Sequence, residues 1–114
     1  MWQVAMVIAE GVYRLTKGFP KDEIYGMTSQ LRRSAVSIAA NIAEGYGREN
    51  RGSFIQFLRL AQGSLKEVET HLLISERVGI VKELQVAELL GNTDELGRML
   101  RSLIRSRQRK QAGA

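Results

Sequence analysis

Residues 21–78 read KDEIYGMTSQLRRSAVSIAANIAEGYGRENRGSFIQFLRLAQGSLKEVETHLLISERV, two long amphipathic stretches joined by a glycine-rich turn. In the first stretch, Lys21 to Glu44, the residues Ile24, Met27, Leu31, Ala35, Ile38 and Ile42 recur at helical spacing and form one apolar stripe. Tyr25, Val36, Ala39 and Ala43 fall on a second, smaller-residue stripe about 100° away, at 3.6 residues per turn. Ser29, Arg33, Ser37, Asn41 and Glu44 occupy the remaining polar face. A helix with two apolar stripes is central in its own bundle or is also covered by another subunit, so the second stripe marks a candidate subunit interface. Pro20 suits the start of this helix, and Asp22 and Glu23 suit the positive end of its dipole.

The stretch Gly45-Tyr46-Gly47-Arg48-Glu49-Asn50-Arg51-Gly52 has three glycines in eight residues and reads as a turn. Ser53 is the expected cap of the next helix, about 53–78, with a core stripe of Phe54, Phe57, Leu58, Ala61, Leu65, Val68 and Leu72. Gly63 sits inside it, where glycine costs about 1 kcal/mol relative to alanine, so a close helix–helix approach is expected there.

Working outward, residues 2–17 carry Val4, Ile8, Val12 and Leu15 at helical spacing, and Gly18-Phe19-Pro20 then breaks the chain. Gly79 ends the third helix. Lys82 to about Arg109 reads as a fourth, with Val86, Leu89, Leu90, Thr93, Leu96, Leu100 and Leu103 near heptad spacing. Gly91-Asn92-Thr93-Asp94 is its weak segment, a place for a kink or an interruption. Short loops between long amphipathic helices make antiparallel neighbours, so the expected fold is an all-α, up-down-up-down four-helix bundle. It forms a single domain over residues 1–110, with a loose tail at 111–114.

The composition agrees. A chain of 114 residues fits one domain with a core of its own. With no cysteine there is no disulfide scaffold, thiolate metal site or cysteine nucleophile. One proline and three phenylalanines argue against an all-β domain. No apolar run approaches the roughly 20 residues that span a bilayer, and the apolar N-terminus lacks the basic region of a signal peptide, so a cytoplasmic location is expected.

The formal charge of +5 is unevenly spread. Residues 1–50 hold six Lys/Arg against five Asp/Glu, and residues 51–97 hold five against seven. Residues 98–114 hold six basic residues and no acid: Arg98, Arg101, Arg105, Arg107, Arg109 and Lys110. A helix dipole favours cations at a C-terminus by under about 1 kcal/mol each and only within the last turn, so it does not call for six. This run is the main candidate for binding a polyanion, through salt-sensitive phosphate contacts that carry little sequence information. No aromatic residue lies beyond Phe57 to interleave with it, so base stacking is not expected from the run itself. Arg48 and Arg51 are placed to hold an anion at the start of the third helix, and Arg59 extends the basic set. Arg32 and Arg33 suit ligand contact and interface pairing equally.

Enzyme signals are poor. His71 is the only histidine, and Val68 occupies the position three before it, where a carboxylate-bridged di-metal bundle needs glutamate. No catalytic residue, metal ligand or cofactor site is assigned. Gly45-Tyr46-Gly47 follows no strand and precedes no Gly-Lys-Ser/Thr, so it reads as a helix end rather than a phosphate loop. Ser29, Arg33, Ser37 and Asn41 make a polar ladder suited to a junction between subunits or bundle layers; Asn41 and Glu44 alternatively satisfy the backbone around the Gly45 turn.

Phe19 to Ile38, continuing through Asn41-Ile42-Ala43-Glu44-Gly45-Tyr46-Gly47-Arg48 and resuming at Phe54 to Glu69, resembles the signature of the four-helix-bundle proteins encoded in 23S rRNA intervening sequences. Trp2-Gln3, Val12 to Lys17 and Met99 to Ile104 extend the resemblance over nearly the whole chain. It implies a four-helix bundle assembled as a ring-like homopentamer, without enzyme activity. It also implies kinship with the accessory variability protein of diversity-generating retroelements, a basic pentamer that binds a reverse transcriptase and nucleic acid. Where the family often has proline this chain has Ala39, so a helix kink there is expected to be absent. Two functions are therefore expected: a basic oligomer that binds RNA, or an accessory scaffold for a reverse transcriptase.

Overall fold

The computed structural model describes residues 1–113, with side chains through Lys110. Its four helices are α1 (Trp2–Thr16), α2 (Met27–Tyr46), α3 (Arg51–Arg77) and α4 (Glu83–Gly113). Each packs on its neighbours in the order α1–α2–α3–α4–α1, with no diagonal contact among the described residues, as an up-down-up-down bundle requires. The molecule measures 51 × 22 × 20 Å. The loose end expected at 111–114 falls on residues whose side chains lie outside the described residues, as does the whole of Ala114.

The stripes converge on one core. Ala5, Ile8 and Val12 of α1 meet Leu31, Ala35, Ile38 and Ile42 of α2. Leu58, Ala61, Leu65, Val68 and Leu72 of α3 meet Val86, Leu96 and Leu100 of α4. Complete burial of each large side chain contributes about 1.5–3 kcal/mol. The buried face of α1 is turned slightly from the expected one: Ala5 and Thr16 are buried, while Val4 and Leu15 are half-buried.

Four expectations are corrected. The helix expected from Lys21 starts at Met27, preceded by a single 3₁₀ turn over Lys21–Glu23. Gly26 interrupts the helical pattern, and the Glu23 carboxylate accepts a hydrogen bond from the Met27 amide (3.0 Å), so an acid expected in the first turn caps the helix from outside. Ile24 is consequently 55% exposed rather than part of the core. The cap of α3 is Asn50, whose side chain accepts from the Ser53 amide at 2.7 Å; Ser53 lies within the first turn. Gly63 faces open space. The close approach expected there occurs at Gly45, where an added Cβ would lie 3.2 Å from Phe57 Cβ. Finally, Gly91–Asp94 neither kinks nor interrupts α4. Thr93 is fully buried, and its hydroxyl lies 3.0 Å from both the Leu90 carbonyl and Glu69 Oε2, so the polar group is satisfied without breaking the helix. Helix α2 runs unbroken through Ala39.

Candidate nucleic-acid interface

Because α3 and α4 are antiparallel, the start of α3 lies against the end of α4. The Arg107 guanidinium packs over the Phe54 ring, 5.3 Å from its centroid. From the other side, Gly45 lets the end of α2 close on α3, and Tyr46 meets Phe54 edge-on at 5.0 Å and 68°. Arg48 lies over the Phe57 ring at 4.8 Å and pairs with Glu44 one turn back. These contacts frame a cleft of about 230 Å³ lined by Gly45, Tyr46, Arg48, Asn50, Arg51 and Arg107, with Glu49 and Phe54. The Arg107 Nε is buried with no hydrogen-bond partner among the described residues.

Further along the α3–α4 seam, Arg59, Lys66 and Arg101 line a second recess. Arg105, Arg109 and Lys110 are exposed on the last turns of α4. Among the described residues the ion pairs are Arg48–Glu44, Lys66–Glu69 (3.0 Å) and Arg98–Asp94 (2.6 Å). Arg51, Arg59, Arg101, Arg105, Arg107, Arg109 and Lys110 form none. The fold thus gathers arginines from two distant stretches of sequence at one end of the bundle and leaves most of them without a carboxylate.

Three of the anticipated site residues stand apart. Arg98 is exposed but bound to Asp94 within its own helix. Arg32 donates from Nε to Thr16 Oγ1 (2.8 Å), with its guanidinium 4.7 Å over the Tyr13 ring. It ties α1 to α2 within the chain, a role neither of its expected readings included. Arg33 is exposed and lines a shallow groove with Tyr13, Tyr25 and Val36, away from the α3–α4 seam.

Of the candidate interface stripe, Tyr25 is 95% exposed and Val36 and Ala43 are exposed, whereas Ala39 is only 6% exposed and belongs to the chain's own core. Ala39 faces inward because it shares the side of α2 that carries Ala35 and Ile42. Of the polar ladder, Ser37 joins α2 to α3 inside the chain, accepting at Oγ from Ser64 Oγ (2.8 Å), while Asn41 Nδ2 donates within α2 to the Ser37 carbonyl (2.9 Å). Asn41 therefore does not serve the helix end. His71 is half-buried with its Nδ1 unpartnered, and no group of three or more His, Asp or Glu that could hold a metal ion occurs among the described residues. No helix among them is long and apolar enough to cross a membrane.

Sequence reasoning missed the aromatic members of this end, because the arginine run itself contains no rings. Counting back along both antiparallel helices from the Gly79 turn places Arg107 opposite Phe54, and that register is the signal that finds them.

Comparison with known proteins places the architecture. A protein of unknown function from the S23 ribosomal protein family of Bacteroides thetaiotaomicron has a similar crystal structure, with a TM-score of 0.81 over 90% of this chain and 96% of that one at 24% identity. At that identity the likeness concerns the fold. No curated protein matches the chain. Residues 1–102 match the family of 23S rRNA-intervening sequence proteins. With most of its length matched and the expected bundle in place, the chain belongs to the 23S rRNA-intervening sequence protein family.

Proposed function

We propose that this protein is a non-enzymatic homo-oligomer, pentameric as its family resemblance implies, that binds RNA through the basic end of its bundle. The observation that carries the reading is the gathering of Arg51, Arg59, Arg101, Arg105, Arg107, Arg109 and Lys110 around the α3–α4 seam without ion-pair partners. Arginine stays protonated at any physiological pH and offers five donors in a planar fork, so such a cluster supplies fixed phosphate-binding charge rather than acid–base chemistry. Exposed Tyr25 and Val36, beside Tyr13 and Ile24, supply an apolar strip for a neighbouring copy. A pentamer would carry about +25, so weak contacts at each subunit would add by avidity.

The test combines mass and binding. Light scattering at low and high salt, with the 260/280 nm absorbance ratio of the same peak, should give a pentamer that carries nucleic acid and sheds it at high salt. In fluorescence anisotropy with a structured RNA, the triple variant Arg101→Gln, Arg105→Gln, Arg109→Gln should weaken binding at least tenfold. It should also lower the dependence of log K on log salt by about 0.9 for each phosphate that is no longer neutralised. A monomer would overturn the ring. A clean oligomer with no salt-dependent RNA affinity would overturn RNA binding and leave the scaffold for a reverse transcriptase as the function to pursue.

A further inference from the structure

We propose that the cleft where α2 ends, α3 begins and α4 finishes is a binding site for one internal phosphate of an RNA strand, gripped by Arg107 and Arg51. The inference rests on the RNA reading above and adds to it a defined seat.

Four features of the cleft select this ligand. Its volume, 230 Å³, is below the roughly 300 Å³ at which pockets begin to take drug-sized molecules, so it suits a small group rather than a whole ligand. Arg107 is already oriented: its guanidinium lies on the Phe54 ring, and its enclosed Nε–H has no acceptor. Stacked on the ring with its Nε buried, the guanidinium is held in place, and a phosphate oxygen entering the cleft would meet its terminal N–H groups. Arg51 lines the same cleft with no ion-pair partner, and the amides of Arg51 and Gly52, in the first turn of α3, have no intrahelical acceptor. Arg48, by contrast, is held by Glu44 and by the Phe57 ring, so its share in the grip is smaller.

The rim favours a strand over a free ion. Tyr46, 58% exposed, presents its ring at the mouth of the cleft, where a base flanking the held phosphate can stack. Glu49, also in the lining, works against a free dianion more than against a singly charged phosphodiester.

The experiment uses the full chain. A 12-nucleotide single-stranded RNA with a 5′-hydroxyl, the same RNA with a 5′-phosphate, and inorganic phosphate are titrated into wild type, Arg107→Gln, Arg51→Gln and Arg77→Gln. Light scattering and circular dichroism confirm that each variant keeps its assembly and fold. Arg107→Gln should weaken both RNAs about tenfold or more and lower the salt slope by about one; Arg51→Gln should do the same to a lesser degree. Arg77→Gln, at the opposite end of α3, should bind as wild type. Equal affinity for the two RNAs identifies an internal phosphate; a marked preference for the 5′-phosphate, or saturation by inorganic phosphate alone, overturns the strand assignment. Wild-type affinity in Arg107→Gln and Arg51→Gln, while the Arg101/Arg105/Arg109 triple variant loses binding, overturns the site and leaves the RNA reading standing. If no RNA binds at all, that reading fails, and the cleft is judged by the Arg107 Nε–H resonance in ¹⁵N NMR. Its shift on adding phosphate, abolished in Arg51→Gln, retains an anion site; an unmoved resonance overturns it.

Discussion

The two turns that flank α3 do opposite things with similar materials. At Val78–Lys82 the chain closes on itself. Gly79 takes φ +83°, and the Ser75 carbonyl accepts from the amides of Ile80 (2.9 Å) and Val81 (3.3 Å). The Gln85 side chain reaches back to accept from the Lys82 amide at 2.8 Å. Val81 is buried beneath the turn. At Gly47–Asn50 the glycine stays right-handed, and Asn50 caps the next helix. Two arginines lie on aromatic rings beside it: Arg48, paired with Glu44, and Arg107, which has no carboxylate partner among the described residues. The first turn satisfies its backbone amides internally and so contributes stability, although the buried Ser75 hydroxyl has no partner among the described residues. The second spends its aromatic surface on orienting cations, which is what a turn built around a ligand requires.

That contrast is open to attack by substitution. The largest expected effect is at Gly45. An added Cβ there lies only 3.2 Å from the Phe57 Cβ and already touches the Phe54 ring and carbonyl at 3.5 Å, so the two further methyl groups of a valine overpack the seam at a cost of about 1–3 kcal/mol. Because Gly45 sets how closely Tyr46 meets Phe54, Gly45→Val should lower both the urea midpoint and the RNA affinity. Loss of stability alone would separate the cleft from binding. Next comes Gly79→Ala, which forces a side chain into the left-handed region at a cost of about 1–2 kcal/mol. Urea denaturation should register that loss, and RNA affinity should stay unchanged, since none of the arginines of the proposed RNA-binding end lies at this turn. A matched fall in affinity would mean that the two ends are not independent.

The sequence made the bundle legible because each helix repeats its apolar stripe over several turns, and burial errors at one position do not undo the period. It was less legible where two local rules competed. Pro20, Asp22 and Glu23 all favour a helix start, but Gly26 breaks the run and lets the Glu23 side chain cap Met27 instead. Asn50 and Ser53 are both good caps, and only the entry of the chain into α3 decides between them. Gly63 and Gly45 look alike in the sequence, yet one faces open space and the other faces Phe57, because glycine carries no information about which side of a helix it occupies. The candidate site was half legible. Periodicity placed Arg101 and Arg105 on a helix, whereas the meeting of Arg107 with Phe54 spans residues 53 apart and depends on the register between two helices. Arg32 shows the same limit: its bond to Thr16 fixes it against α1, and no spacing rule announces that.

The smallest effect sharpens the comparison most, because its sign differs between the two accounts of Arg48. As a purely structural link, the Arg48–Glu44 pair would stabilise the end of α2. Exposed pairs one helical turn apart contribute only about 0.3–0.5 kcal/mol, so Glu44→Gln should barely shift the urea midpoint. As a part of the basic end, the same pair holds back a cation that already lies over Phe57 at the mouth of the cleft. Removing the carboxylate frees that guanidinium and deletes a negative charge near the proposed phosphate seat. Glu44→Gln should therefore bind RNA about two- to threefold more tightly at low salt, with a salt slope steeper by up to about one, and the gain should fade as ionic strength rises. Anisotropy titrations at two salt concentrations measure this directly. A loss of affinity would mean that Glu44 positions Arg48 for binding rather than restraining it, and the cleft would then require all three of its arginines in place.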